Sequence, residues 1–216
     1  TDGCGVVEFE GNITRIGEQA FFDNMDITSI TLPDSVLEIG TNAFGRCKNL
    51  LKVVVGNQLQ TIGQSAFGQC ISLTDLSLPD SVTSIGANAF CLCWELKSFT
   101  IPKGVTKIEE WTFNATGFSH ITIPDNVKEI GYRAFAHTPI QSIVIPGTLK
   151  KIAEIAFWCC KSLEEVTICN GVEVIGRKAF SECVNLKNID LGDTIKLIRD
   201  VTMSEILTID KAITLD

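Results

Sequence analysis

The sequence predicts a solenoid in which short repeats stack as coils, with a parallel β-sheet on one face and short turns or helical turns on the other. Three observations predict this fold. A phenylalanine recurs every 22 or 23 residues, an isoleucine lies five residues before each one, and another aliphatic residue lies three residues before that isoleucine. Self-similarity at one period is the signature of a repeat architecture. The eight phenylalanines are Phe21, Phe44, Phe67, Phe90, Phe113, Phe135, Phe157 and Phe180.

Each unit also contains a segment with the alternation of a half-buried strand. Its pattern is L-x-x-I-x-L-P, and Leu73 to Pro79 is a clear copy. Alternating apolar and polar residues predict an extended strand, and Pro ends it because Pro has no N–H for a ladder bond. The G-x-x-A-F stretch that follows predicts a tight turn and a short helical turn. Ten strands are predicted in all, from one at Cys4 to Phe9 to one that ends at Leu215.

The predicted units depend on one another for a core. No single unit can bury its own apolar row, so stacked units must form one continuous core. With strands ~4.8 Å apart, the sheet would be about 45 Å long. The sequence therefore predicts a single solenoid domain over residues 1–216, with about eight repeats of 22–23 residues. A degenerate end is expected at 193–216, where Thr202 and Met203 replace the Ala-Phe pair.

Composition excludes several classes of partner. The chain has 216 residues, 45% of them hydrophobic, and a formal net charge of −8. No basic stripe is present that would attract a phosphate backbone, so neither nucleic acid nor an anionic membrane is an expected partner. No apolar run approaches the ~20 residues of a membrane span, so no transmembrane segment is predicted.

The repeat resembles a known family. The consensus L-x-x-L-x-L-P-x-x-V-x-x-I-G-x-x-A-F-x-x-C-x-x looks like the leucine-rich repeat of the BspA type, also called the Treponema pallidum type, and it covers residues 4 to about 192. The resemblance implies a right-handed leucine-rich-repeat solenoid, an α/β or mainly β repeat. It also implies a non-enzymatic, adhesin-like protein, secreted or at the cell surface, that binds a protein of a host. An intracellular scaffold for protein–protein interactions is the alternative, which nine reduced cysteines would suit.

The chain departs from the commoner leucine-rich repeat at one position. That repeat carries Asn three residues after the last strand Leu, and a buried asparagine ladder is therefore not predicted here. The residues at this position are Ser35, Gln58, Ser81, Gly104, Asn126, Thr148, Gly171 and Thr194.

Five of the nine cysteines share one repeat position, three residues after the phenylalanine. The two shortened units carry Thr116 and Thr138 there instead. A row of buried free thiols is the preferred interpretation, because free Cys packs as a small apolar residue. Disulfides between neighbouring coils are the alternative, and no metal site or cofactor is predicted. The five are Cys47, Cys70, Cys93, Cys160 and Cys183.

An outward strand position contains the one arrangement that resembles a catalytic site. His120 lies between Ser98 and Ser142 of the neighbouring coils, with carboxylates one coil further out. A triad needs a carboxylate bonded to the histidine, whereas the predicted spacing is ~10 Å. The N–H groups of a sheet are also spent in its ladder, so no oxyanion donors are expected. A solvated polar row is therefore preferred over a hydrolase that uses His120.

Two outward positions together predict a docking surface. Small hydroxyl and β-branched residues suit an exposed sheet face, and they also form a surface of low charge on which another protein could dock. The predicted protein-binding residues are Ser98, Thr100, His120, Thr122, Ser142 and Thr167. The aromatic residues near the Ala-Phe segment are interpreted as packing, with a second docking face as the alternative. They are Trp94, Trp111, Tyr132 and Trp158.

Overall fold

Two rows of short parallel strands run along the protein. The computed structural model describes residues 12–199 and the strand at 214–215, so the predicted strand at Cys4 and the residues Thr202 and Met203 lie outside the described part. The first row contains β2 (Ser29–Thr31), β4 (Lys52–Val54), β6 (Asp75–Leu76), β10 (Ser142–Ile145), β12 (Glu165–Ile168) and β14 (Asn188–Asp190). Their pairing is parallel and offset by one repeat, with Ile30 opposite Val53.

The second row is formed by the V-x-x-I part of each repeat. Its strands are β1 (Arg15–Ile16), β3 (Glu38–Ile39), β5 (Thr61–Ile62), β7 (Ser84–Ile85), β8 (Lys107–Ile108), β9 (Glu129–Ile130), β11 (Lys151–Ile152), β13 (Val174–Ile175), β15 (Leu197–Ile198) and β16 (Thr214–Leu215). The coil predicted from the repeat is therefore confirmed as a parallel β-solenoid.

The predicted helical turn at the Ala-Phe segment is wrong. In the described residues this segment forms stacked turns without any helix. The N–H of Phe44 donates to Ala66 O of the next coil at 2.8 Å, while the N–H of Ala43 donates within its own coil to Gly40 O at 3.1 Å. A helix would instead direct every N–H to a carbonyl of the same segment.

This alternation depends on left-handed residues on both sides of each phenylalanine. The residues two before and two after it have φ between 52° and 63°, and Asn42 and Arg46 are one such pair. That conformation is unfavourable for L-residues. It persists because it directs every second N–H to the following coil, as from Arg46 N to Gly68 O at 2.7 Å.

The phenylalanines form the centre of the core. Consecutive rings from Phe21 to Phe180 stack with centroids 5.0 to 5.8 Å apart. Aliphatic rows from both strands pack around them in one hydrophobic cluster that extends from Ile16 to Ile198. Each coil thus contributes one ring and several aliphatic side chains to a core shared with its neighbours.

Side chains at the position where the commoner repeat carries Asn bond to the preceding coil, which the sequence did not predict. Most of these residues are not Asn, but five of the eight donate to the carbonyl of the first aliphatic residue one coil earlier, each at 2.7 Å. They are Ser35, Ser81, Asn126, Thr148 and Thr194. Four hydroxyls and one amide therefore do here what an amide ladder would do.

Glycines after the second-row strands allow close approach of the coils. A Cβ on Gly63 would lie 2.6 Å from the backbone nitrogen of Thr41, and Gly63 N donates to Ile39 O at 2.7 Å.

Glu109 and Ala153 replace this glycine in two coils, and neither makes the equivalent bond among the described residues. The second row is interrupted at those two places, between β7 and β8 and between β9 and β11. A side chain does not by itself prevent the bond, since Arg199 N reaches Ile175 O at 3.0 Å.

The first row is interrupted in the same part of the solenoid. The repeat pattern implies strands at 98–101 and 120–123, and both segments alternate between exposed and buried residues as β10 does. Neither makes a backbone hydrogen bond to a neighbouring coil in the described chain, so the prediction of ladder strands is wrong there. On the turn side the coils remain bonded, with Phe90 N to Thr112 O at 2.9 Å. The solenoid thus opens on its strand side.

Oversized core residues explain the opening. Phe99 and Phe118 occupy repeat positions that the other coils fill with aliphatic residues. The ring of Phe99 lies 5.0 Å from the rings of both Phe90 and Phe113 and is tilted by 56° and 60° to them. Extra volume in a close-packed interior must be accommodated by shifts of the backbone. The strand side yields because the turn side is held by its hydrogen bonds.

Candidate protein-binding surface

The opening of the first row forms a hollow of about 800 Å³ on the sheet face. Four of the six predicted binding residues line it: Thr100, His120, Thr122 and Ser142. We call this surface the sheet hollow. Ser98 and Thr167 are exposed but do not line it. Thr167 lies opposite Val144 in the β10–β12 pair, on the next coil. The structure therefore brings together most, but not all, of the predicted set.

The floor of the sheet hollow is apolar and its rim carries hydroxyls. The period of two along each segment directs Phe99 and Ile121 inward, and each remains 9% exposed. Thr100 and Thr122 point outward at the same repeat position and are exposed. Beside them Val144 is 57% exposed. A surface with an apolar centre and polar edges is typical of sites that bind proteins.

Few charges border the sheet hollow. Lys103 and Asp80 form an ion pair with 3.7 Å between Nζ and Oδ2, and Asp125 completes the charged part of the lining. Elsewhere the first row carries facing charges on its strands, such as Lys52 and Asp75 at 2.8 Å. Because burial of unpaired charge is costly, the hollow is the stretch of the first row that a partner could cover with least desolvation.

His120 has a serine partner that the sequence did not reveal. Ser119 Oγ lies 2.9 Å from His120 Nδ1. The comparison of equivalent repeat positions pointed to Ser98 and Ser142, whereas the partner is the preceding residue in the chain. No bond from a carboxylate to His120 occurs among the described residues. The pair therefore lacks the third residue that orients the imidazole in a triad.

One argument made from the sequence against catalysis is wrong at this place. The N–H groups of a sheet were expected to be spent in its ladder, but those of 98–101 and 120–123 make no backbone bond in the described part of the protein. The case against a hydrolase thus rests on the missing carboxylate alone.

The turn face carries a stack of aromatic rings around a cation. The guanidinium carbon of Arg133 lies 4.6 Å from the ring of Trp111 and 4.8 Å from that of Trp158. Tyr132 lies at 5.6 Å from the same carbon. Cation–π contacts of this kind are stabilising. These aromatic side chains therefore pack around Arg133, a residue that was not singled out from the sequence.

Trp94 is separate from this stack. It is 51% exposed and borders a groove of about 720 Å³ on the turn face that Trp111, Asn114 and His137 also line. Burial, together with the positive charges of Arg133 and Lys161, lowers the pKa of His137. The groove is the structural counterpart of the second docking face considered from the sequence.

The five cysteines of the shared repeat position, which we call the cysteine ladder, are buried and unpaired. This agrees with the preferred interpretation of a row of buried free thiols. They also have a polar role. Each thiol donates to the carbonyl of the phenylalanine one coil earlier, as in Cys70 Sγ to Phe44 O at 3.1 Å. Thr138, which replaces Cys in a shortened unit, bonds instead to Phe135 O of its own coil at 2.7 Å. The row therefore satisfies a carbonyl inside the core.

Two further features of the described residues concern metal ions and membranes. No group of three or more His, Cys, Asp or Glu side chains there could hold a metal ion. Among the same residues, no helix has the length and apolarity needed to cross a membrane.

The fold and this surface define a class, the solenoid repeat proteins with short parallel strands. A sequence profile of the BspA-type leucine-rich repeat region matches six copies within residues 5–114 and 83–209. The chain belongs to the BspA-type leucine-rich repeat family. No curated protein is significantly similar to it in sequence.

Solved structures share the fold. A leucine-rich repeat protein of T. pallidum is 26% identical, over 81% of this chain and 72% of that chain, with a TM-score of 0.52. The pneumococcal vaccine antigen PcpA is 23% identical, over 88% of this chain and 59% of that chain, with a TM-score of 0.62. The second likeness concerns the fold alone, and this chain spans less than two thirds of that solved chain.

Proposed function

We propose that the chain is a non-enzymatic, adhesin-like protein, secreted or at the cell surface, that binds a host protein through the sheet hollow. The observation that carries the proposal is the hollow itself, which opens where Thr100, His120, Thr122 and Ser142 converge on the sheet face. Its apolar floor and low charge favour docking of a protein, and the net charge of −8 disfavours nucleic acid. Membership of the BspA-type family supports the location.

The substitution Thr122→Arg tests this proposal. A long charged side chain at the rim would cover part of the apolar floor and would lose its hydration under a docked protein, so we expect binding of a captured host protein to fall at least about tenfold, which corresponds to about 1.4 kcal/mol. The measurement is surface plasmon resonance against a panel of purified extracellular matrix and plasma proteins. Circular dichroism establishes first that each variant is folded.

Two control variants separate the site from a general effect of charge. Thr31→Arg places the same side chain at the same repeat position on β2, away from the sheet hollow. Lys178→Glu changes a charge on the turn side. Both are expected to bind as the wild type does. Loss of binding in Lys178→Glu with retention in Thr122→Arg would move the docking face to the turn side and to Trp94.

The intracellular scaffold remains the second candidate, and the free thiols favour it. All eight described cysteines are unpaired, which suits a reducing compartment. Under this alternative the sheet hollow is still the docking surface, but its partner is a protein of the same cell.

A hydrolase that uses His120 is the third candidate, on the basis of the 2.9 Å contact with Ser119. We expect no hydrolysis of p-nitrophenyl acetate by the wild type above the rate in buffer with free imidazole. An esterase rate that is present in the wild type and disappears in both His120→Ala and Ser119→Ala would overturn the non-enzymatic assignment.

A further inference from the structure

The sheet hollow contains main-chain groups that lack the ladder bonds joining β10 to β12. Residues 98–101 and 120–123 have the alternating burial of strands, with outward Thr100 and Thr122 and inward Phe99 and Ile121. None of their backbone N–H or C=O groups bonds to the backbone of another coil within the described chain. In β10 and β12, by contrast, four consecutive residue pairs are in register, from Ser142–Glu165 to Ile145–Ile168.

Such unpaired groups restrict what can cover them. Removing backbone donors and acceptors from water without giving them a partner is unfavourable. A helix uses its own N–H and C=O groups internally and would leave those of the hollow unpaired once it excluded water. An extended segment has free donors and acceptors with the spacing of a strand, and it can pair with them.

We propose that the partner of the sheet hollow presents an extended polypeptide segment whose main chain hydrogen-bonds to residues 98–101 or 120–123, as an added strand. This inference rests on the proposed function, since it takes the hollow to be the place where a protein binds. It goes further in stating that the affinity comes from main-chain bonds in addition to side-chain contacts.

The lining also defines the side chains that the segment should carry. Every second side chain of the bound segment would point toward the floor of the hollow and contact Phe99 and Ile121. Apolar and β-branched residues fit at these positions of the segment. The alternate positions of the segment lie beside the rim hydroxyls of Thr100, Thr122 and Ser142, where small or polar residues fit. The charged residues of the lining are Asp80, Lys103 and Asp125, and the first two already form an ion pair with each other.

The probe for the test is a set of short random linear peptides displayed on phage and selected on the full chain. Selected peptides are synthesised, and their dissociation constants are measured with the wild type, Thr122→Arg and the matched control Thr31→Arg. Each peptide is also prepared with a single N-methyl group at each successive position. In a strand, alternate N–H groups point to opposite edges, so only every second N–H can bond to the hollow.

The expected result has two parts. Selected peptides lose affinity for Thr122→Arg and keep it for Thr31→Arg. N-methylation weakens binding to the wild type with a period of two residues, by up to about tenfold at bonded positions, the equivalent of one hydrogen bond. Amide hydrogen exchange by NMR then slows at residues 98–101 or 120–123 when peptide is added, and does not change at Val53 in β4.

Different failures are distinguishable. Peptides that bind Thr122→Arg as well as the wild type would contradict the proposed function of the hollow. Peptides that require the hollow but tolerate every N-methyl group, or bind without slowing those amides, would overturn the added strand and leave the docking site in place. Absence of any enriched peptide, while a folded protein still binds at the hollow, would also overturn it.

Discussion

Replacement of Phe90 by alanine is expected to lower the free energy of unfolding by about 3–5 kcal/mol. The ring is fully buried and stacks on Phe67 at 5.6 Å and on Phe113 at 5.8 Å. The ring of Phe99 packs against it with centroids 5.0 Å apart and planes tilted by 56°. The truncation therefore removes contacts with three aromatic neighbours and leaves a cavity that stacked coils cannot easily fill.

Phe21→Ala is the matched control for this prediction. Phe21 occupies the same repeat position but is only partly buried, and its ring stacks on one described ring, that of Phe44 at 5.0 Å. A smaller loss of stability is expected. Chemical denaturation of both variants under the same conditions is the measurement, and equal losses would contradict a core built from interactions between neighbouring coils.

Alkaline pH is expected to destabilise the protein through the cysteine ladder. Burial raises the pKa of the Cys47 thiol from its ordinary value of 9.0 to about 11, and burial raises the pKa of Cys70 and Cys93 further still. Below pH 9 both folded and unfolded chains hold these protons and stability is unaffected. Above it the unfolded chain releases them first, so stability falls as pH rises through the folded pKa values.

The size of this effect depends on the number of thiols involved. Cys47, Cys70 and Cys93 each contribute a loss on the order of 1 kcal/mol between pH 9 and pH 10. Urea denaturation at a series of pH values measures the slope. The control is Cys70→Ala, which is less stable at every pH but should show a shallower fall, because it has one buried thiol fewer and is otherwise identical. Identical slopes would mean that Cys70 is not buried as a neutral thiol.

The coil could be predicted from the sequence because its core is periodic. Residues such as Ile39 and Phe44 recur at fixed spacing, and burial of an apolar row leaves stacking as the only solution. The turn stack could not be predicted in the same way. Its left-handed positions carry residues as different as Asn88, Ile155 and Arg133, because the conformation is imposed by hydrogen bonds to the next coil and not by local preference.

Only part of the sheet hollow could be predicted from the sequence. The rim hydroxyls Thr100 and Thr122 follow from strand periodicity, so a surface of low charge could be expected there. Phe99 and Glu109 are visible in the sequence as departures from the repeat. The loss of hydrogen bonds between coils at these places could not be predicted from it. Whether an oversized ring or a Cβ breaks a ladder depends on the distance to the neighbouring coil, and the contact of Ser119 with His120 depends on a side-chain rotamer.

The most direct test of this account is amide hydrogen exchange in the free protein, because the docking site depends on the broken ladder. The amides of residues 98–101 and 120–123 should exchange far faster than those of Ile143 in β10 and Val53 in β4, which lie in intact ladders. The amide of Phe90, bonded to Thr112 O at 2.9 Å, should be protected in the same molecule. Protection at 98–101 and 120–123 equal to that in β10 would show a continuous sheet without a hollow, and would contradict the proposed site.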